Sequence, residues 1–157
     1  MKSERLDAVC KAISEALDEL KIDFDIYEDD AFTNFALGMF PIGELDQSLS
    51  IIVLNDLMTV KIRSDGYFDF PKEMLTEGAI AASYLNTVSS CTVEYTHYSG
   101  AIGYSYTLPC NGDYFTKELV TDALSMLTSV INEFHPYLKK LASGECTLDE
   151  FLDNLGI

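Results

Sequence analysis

Between Gly78 and Gly112 the chain carries one formal charge, Glu94, although 23% of its 157 residues are charged. At that average a stretch of this length would hold about eight. A segment so poor in solvating groups is either buried unusually deeply or covered by a second molecule. An alanine-rich helix pattern and an aromatic hairpin pattern both fall inside it, so whichever fold the chain adopts has to place these two elements where water is scarce.

The remaining composition is that of a soluble globule: 48% apolar residues and a length that can bury a self-sufficient core, read as a single domain over 1–157. The net charge of −16, with ten Lys and Arg scattered along the chain, argues against nucleic acid and against anionic membrane surfaces as partners. A basic polypeptide would be attracted. Cys10, Cys91, Cys110 and Cys146 show neither a C-x-x-C pair nor zinc spacing, and Cys10 falls on an apolar helix stripe where a reduced thiol belongs. The opening MKSERLDAVC turns polar at once and no apolar run approaches eighteen residues, so a reducing cytoplasm is expected.

Period decides the elements. Leu6, Val9, Cys10, Ile13, Ala16, Leu17 and Leu20 recur at three- and four-residue steps, predicting a helix over 3–21 with Ser3 as N-cap. The period then changes to two. Ile22, Phe24 and Ile26 mark a first strand, and Phe35, Leu37 and Met39 a second, ended by Pro41 and a polar loop through Gln47. LSIIVL and LMTVKIRS flank Asn55-Asp56; a two-residue loop there pairs Leu54 with Leu57, Val53 with Met58, Ile51 with Val60 and Leu49 with Ile62. Pro71 opens a helix over 71–89, whose Met74, Leu75, Ile80, Tyr84, Leu85 and Val88 are joined by Ala79, Ala81 and Ala82. This helix has no obvious water face in its later turns. The next hairpin, with Ser99-Gly100 as loop, sets His97 opposite Ile102, Tyr95 opposite Tyr104 and Val93 opposite Tyr106, and Pro109 to Asp113 ends it as a turn. Residues 116–143 return to helix, interrupted by Pro136 and stopped by Gly144, and Thr147 with Glu150 forms a capping box for a short last helix. The predicted class is α+β, an antiparallel β-sheet flanked by helices in the order α-β-β-β(-β)-α-β-β-α-α.

No catalytic, metal or cofactor signature stands out. The run Asp23, Asp25, Glu28, Asp29, Asp30 lacks the central Gly and terminal Glu of a calcium loop, and strand alternation followed by a turn explains it. G-x-S-x-G and P-loop patterns are absent, and Gly100 and Gly103 belong to a hairpin. His135 reads as a solvated residue of the long helix. Cys91 and His97 stand at opposite ends of a strand, roughly 20 Å apart, too far for a nucleophile and its base.

The run Ser83-Tyr84-Leu85-Asn86 closing a helix, a following hairpin, a long helix opened near Phe115-Thr116, the Phe134-x-Pro136-x-Leu138 step and the Gly144 stop before an acidic last helix resemble the YbjN family. Relatives of that family share the fold of type III secretion chaperones. The resemblance implies a non-enzymatic binding or regulatory domain, dimeric in many members, with no catalytic residues to carry over. Two functional expectations follow. The first is a cytoplasmic protein that binds another polypeptide or itself as a homodimer, through Ile80, Ala81, Ala82, Tyr84, Leu85 and Val88 and the sheet. The second, from a different class, is a small-ligand sensor or minor enzyme with an aromatic pocket built from Tyr95, His97, Tyr104 and Tyr106.

Overall fold

The computed structural model describes residues 4–38, 40–42, 45–56, 59–110 and 114–156; Ser3, Met39, Leu57, Met58 and the turn 111–113 lie outside the described residues. The chain runs α1 (Glu4–Glu19), β1 (Phe24–Glu28), β2 (Phe32–Leu37), β3 (Phe40–Ile42), β4 (Leu45–Gln47), β5 (Leu49–Leu54) and β6 (Thr59–Asp69). A 3-10 turn (Lys72–Met74) then leads into α2 (Leu75–Val88), β7 (Thr92–Thr96), β8 (Ala101–Pro109), α3 (Lys117–Ala142) and α4 (Leu148–Asn154). Six strands form one antiparallel sheet in the order β1-β2-β5-β6-β8-β7. The α+β class follows the periodicity of the sequence, and so does the order of the helices and of the strands in this sheet; six strands rather than the expected three or four precede α2.

Pro41 does not end the strand region. β3 and β4 form a separate two-stranded ribbon in which Pro41 pairs with Asp46, replacing the expected loop. A strand bonded on one side only leaves room for a residue without an N–H, so proline is tolerated there.

One sheet face is dry. Phe35, Leu37, Leu49, Ile51, Val53, Val60, Ile62, Val93, Ile102, Tyr104 and Leu108 are buried on it. α1 contributes Leu6, Val9, Ile13, Ala16 and Leu17, and α3 contributes a buried stripe from Val120 through Leu141. α3 touches α1, α2, α4, β6 and β8. α1 stops at a Schellman-type turn: Lys21 adopts φ 56°, its N–H bonds Asp18 O, and Ile22 N–H bonds Leu17 O. At the far end of α3, Gly144 (φ 76°) and the Glu145 N–H to Lys140 O bond close the helix as expected, and the Thr147–Glu150 capping box is formed.

Both hairpins depart from their expected registers by two residues. Val53 pairs with Val60, Ile51 with Ile62 and Leu49 with Ser64, so Asn55-Asp56 belongs to a four-residue connection. Tyr95 pairs with Ile102 and Val93 with Tyr104, and the loop is His97–Gly100 rather than Ser99-Gly100. A two-residue type I′ loop needs positive φ at both central positions. Neither Asn55 nor Asp56 adopts it, and in the second loop Gly100 alone does. A slip of two keeps every side chain on its own face, so the hydrophobic pattern is indifferent to it.

α2 is the element that accounts for much of the charge gap. It lies along β7 on one side and meets α3 and α4 on the other, burying Gly78, Ala81, Ala82 and Leu85. Gly78 permits this approach: a Cβ there would stand 2.8 Å from the Tyr95 hydroxyl oxygen and 2.9 Å from the Phe70 ring. A helical Gly→Ala change ordinarily stabilises by about 0.5–1 kcal/mol. Here overpacking wins, and Gly78→Ala is expected to cost about 1–2 kcal/mol in urea unfolding. A raised midpoint would show that the contact is not tight.

Candidate interaction surfaces

The six residues of α2 expected to meet a partner divide between two environments. Ala81, Ala82 and Leu85 are packed into the chain's own core, and Ile80 is half-buried. Tyr84 is 39% exposed and Val88 53% exposed. With Ser83 and Thr87, also exposed, these last two form an outward strip that contains no charge. A helix with small residues inward and a tyrosine and a valine outward has two apolar sides, which is why its sequence shows no water face.

The four residues of the expected aromatic pocket also separate. Tyr104 is fully buried, its hydroxyl 3.0 Å from His135 Nδ1. Tyr95 is half-buried and donates its hydroxyl proton to Leu75 O at 2.8 Å; burial, reinforced by Glu77, pushes its pKa up. Phe70 and His97 stand edge-on to the Tyr95 ring, at centroid distances of 6.0 and 5.3 Å. His97 itself is exposed and Tyr106 half-buried, opposite Ile62. The face is thus divided between contacts to α2 and contacts to α3.

Among the described residues no helix packs on the opposite sheet face. Glu94, the lone charge of the uncharged segment, sits there between Lys61 and Arg63. It pairs with the Lys61 ammonium, with Arg63 Nε at 3.1 Å and with the Ser105 hydroxyl at 2.9 Å. Burial alone would raise its pKa, but the hydrogen bonds from Lys61 and Ser105 and the charges of Lys61 and Arg63 hold it below the usual carboxylate range. The long cationic side chains lie over β8, where Gly103 and Ser105 are buried.

Among the described residues no group of His, Cys, Asp and Glu is arranged to hold a metal ion, and the four cysteines are free. Burial pushes the thiols of Cys91 and Cys110 upward, which disfavours the thiolate. No helix among the described residues is long and apolar enough to cross a membrane.

His135 contradicts its reading as a solvated residue, because it is 3% exposed. Its ring lies tilted against that of Phe68, with centroids 5.2 Å apart, and meets the Tyr104 hydroxyl. The signal was present in the spacing: position 135 is four residues beyond Ile131 and three before Leu138, on the flank of the buried stripe. Burial, with a smaller effect of Lys139, pushes its pKa down to about 4. An unfolded histidine titrates near 6.5, so the unfolded chain takes up the proton first. The stability associated with neutral His135 is therefore complete above that pH and is lost as pH falls toward 4, by about 2 kcal/mol at pH 5. Urea midpoints measured at pH 7 and pH 5 are expected to fall for the native chain and to fall less for His135→Gln. Equal falls would show that this imidazole does not set the dependence.

No protein-family model matches the chain, and no curated protein matches it in sequence. Among solved structures, a chain of the ExsC–ExsE complex is similar over 84% of this chain and 94% of that one, with a TM-score of 0.60 and 10% identity. A chain of the HopA1–SchA chaperone–effector complex is similar over 80% and 91%, with a TM-score of 0.49 and 12% identity. The first likeness, at so low an identity, is one of fold alone, and it shows that the chain has the α+β fold of the type III secretion chaperones.

Proposed function

We propose that this chain is a single-domain, non-enzymatic binding protein of the YbjN kind, acting in the cytoplasm on another polypeptide and associating with its own copy through the outward strip of α2. The observation that carries this reading is the strip itself. Tyr84 and Val88 are exposed with no charge near them in sequence from Gly78 onward, on a chain of net charge −16. Two such chains repel each other through most of their surfaces. A strip without carboxylates is where they approach at least cost, and burying a tyrosine and a valine supplies the attraction.

The fold supports the reading, since the similar structure is a complex of two proteins. The charge balance supports a polypeptide over nucleic acid or an anionic membrane. One helix strip is small beside the roughly 800 Å² per partner of a standard interface, so a micromolar dimer is the expectation.

Sedimentation equilibrium tests it. Tyr84→Lys with Val88→Lys is expected to weaken self-association at least tenfold, a loss of about 1.4 kcal/mol or more, with the urea midpoint little changed. Ala82→Glu, which puts a carboxylate into the core, is expected to damage folding instead. A chain that stays monomeric at concentrations on the order of 100 μM removes the dimer from the proposal.

A further inference from the structure

β7 is one edge of the six-stranded sheet and pairs with β8 among the described residues. Asn86, in the last turn of α2, closes that edge like a missing neighbour. Its Nδ2 donates to Val93 O at 3.0 Å and its Oδ1 accepts from Val93 N–H at 2.7 Å. Those are the two bonds that a residue of a further antiparallel strand would exchange with Val93. By alternation the next outward-facing residue of β7 is Tyr95, so with Asn86 in place the edge offers no two successive outward positions. Asn86 is itself exposed, which puts the edge it plugs at the surface, within reach of another chain.

β7 lacks the usual means of keeping an edge single. Thr92-Val93-Glu94-Tyr95-Thr96 has no Lys and no Pro, and its register with β8 runs without a bulge. Its β-branched and aromatic side chains favour strand pairing. Its one charge, Glu94, is taken up by Lys61 and Arg63. The other edge needs no such plug against a copy of itself, because Asp23, Asp25, Glu28, Asp29 and Asp30 stand in and beside β1. Two copies set antiparallel about Glu94 would bring Val93 of each opposite Tyr95 of the other, every one of them exchanging both backbone bonds. The two Glu94 carboxylates would meet at the centre already neutralised by their own cations, so repulsion there is too weak to prevent the pairing.

We infer that Asn86 is a guard of the β7 edge, a residue that keeps the sheets of two copies from joining strand to strand. This role does not rest on the self-association proposed for α2, and the two act in opposite senses. Tyr84 and Val88 admit a copy against the helix, while Asn86 turns one away from the strand beside it. The amide does with one side chain what the carboxylates do at β1, and it does so without adding a charge to the outward strip of α2.

The test is made in a chain carrying Tyr84→Lys and Val88→Lys, so that association through α2 does not contribute, and each variant is compared with that chain. Amide exchange at Ile62 serves throughout as the control for folding. In dilute solution Asn86→Ala is expected to speed exchange at Val93 at least tenfold while Ile62 stays protected. At about 100 μM it is expected to sediment as a dimer or larger, with Val93 and Tyr95 protected again. Asn86→Lys also lacks the plug but sets a charge at the edge, and is expected to stay monomeric with Val93 exposed. Where the alanine variant leaves Ile62 unprotected, Asn86→Ser is read in its place. An alanine or serine variant that stays monomeric, equal association of that variant and Asn86→Lys, or association without protection of Val93 and Tyr95 overturns the inference. None of these outcomes bears on the α2 strip, whose sedimentation test keeps Asn86.

Discussion

The buried stripe of α3 is the constraint on which the other layers depend. Six strands spaced by about 4.8 Å make a sheet roughly 24 Å wide, and helices pack at about 8–10 Å, so covering one face takes three of them. α3 is the central one: α1 lies on one side, α2 on the other, and β6 and β8 beneath. Without it α1 would have nowhere to bury Ala12 and Ala16, and α4 would lose the support for its fully buried Phe151. Tyr104 and His135, a polar pair within this core, link α3 to β8 and satisfy groups that would otherwise be costly to bury.

The helix-free face is managed by a different means. Glu94, Lys61, Arg63 and Ser105 form a partly buried network over β8, so one carboxylate holds two cations in place and the long side chains act as a lid. The absence of other charges from Gly78 to Gly112 is thus two facts. In the hairpin it reflects a strand pair whose inner face is under helices and whose outer face is covered by this network. In α2 it reflects a helix buried on two sides by its own chain, leaving Tyr84 and Val88 outside. The second leaves Tyr84 and Val88 as apolar surface on a helix; in the hairpin the exposed large side chain is Tyr98, in its loop.

What could be read from the sequence follows from what each signal measures. Periodicity measures which face is dry, and it placed every helix and the main strands within a few residues. It is blind to a slip of two, so both hairpin registers were set from the turns, and Asn55-Asp56 and Ser99-Gly100 lack the paired positive φ of a two-residue loop. Composition treats histidine as polar, which hid His135 until its place on the α3 stripe was resolved. The expected partner residues of α2 were legible as a group, but not their division into inward Ala81, Ala82 and Leu85 and outward Tyr84 and Val88. That division depends on where α3 and α4 lie, a tertiary fact with no local signature. The plug at Val93 was equally illegible, because nothing in Asn86 itself tells a side chain that caps a strand edge from one that ends a helix.

Strand order sets the uncharged strip of α2 and the acidic edge of β1 far apart. α2 lies beside β7, at one edge of the sheet, and β1 is the other edge, with four strands between them. The two surfaces also differ in the interaction they offer. The α2 strip presents apolar side chains without charge, which favours a surface of the same kind on another acidic chain. The β1 edge is ringed by carboxylates, Asp23, Asp25, Glu28, Asp29 and Asp30, which disfavours another acidic chain there. The net charge of −16 is thus spread unevenly over the fold, dense about β1 and missing from the outward strip of α2.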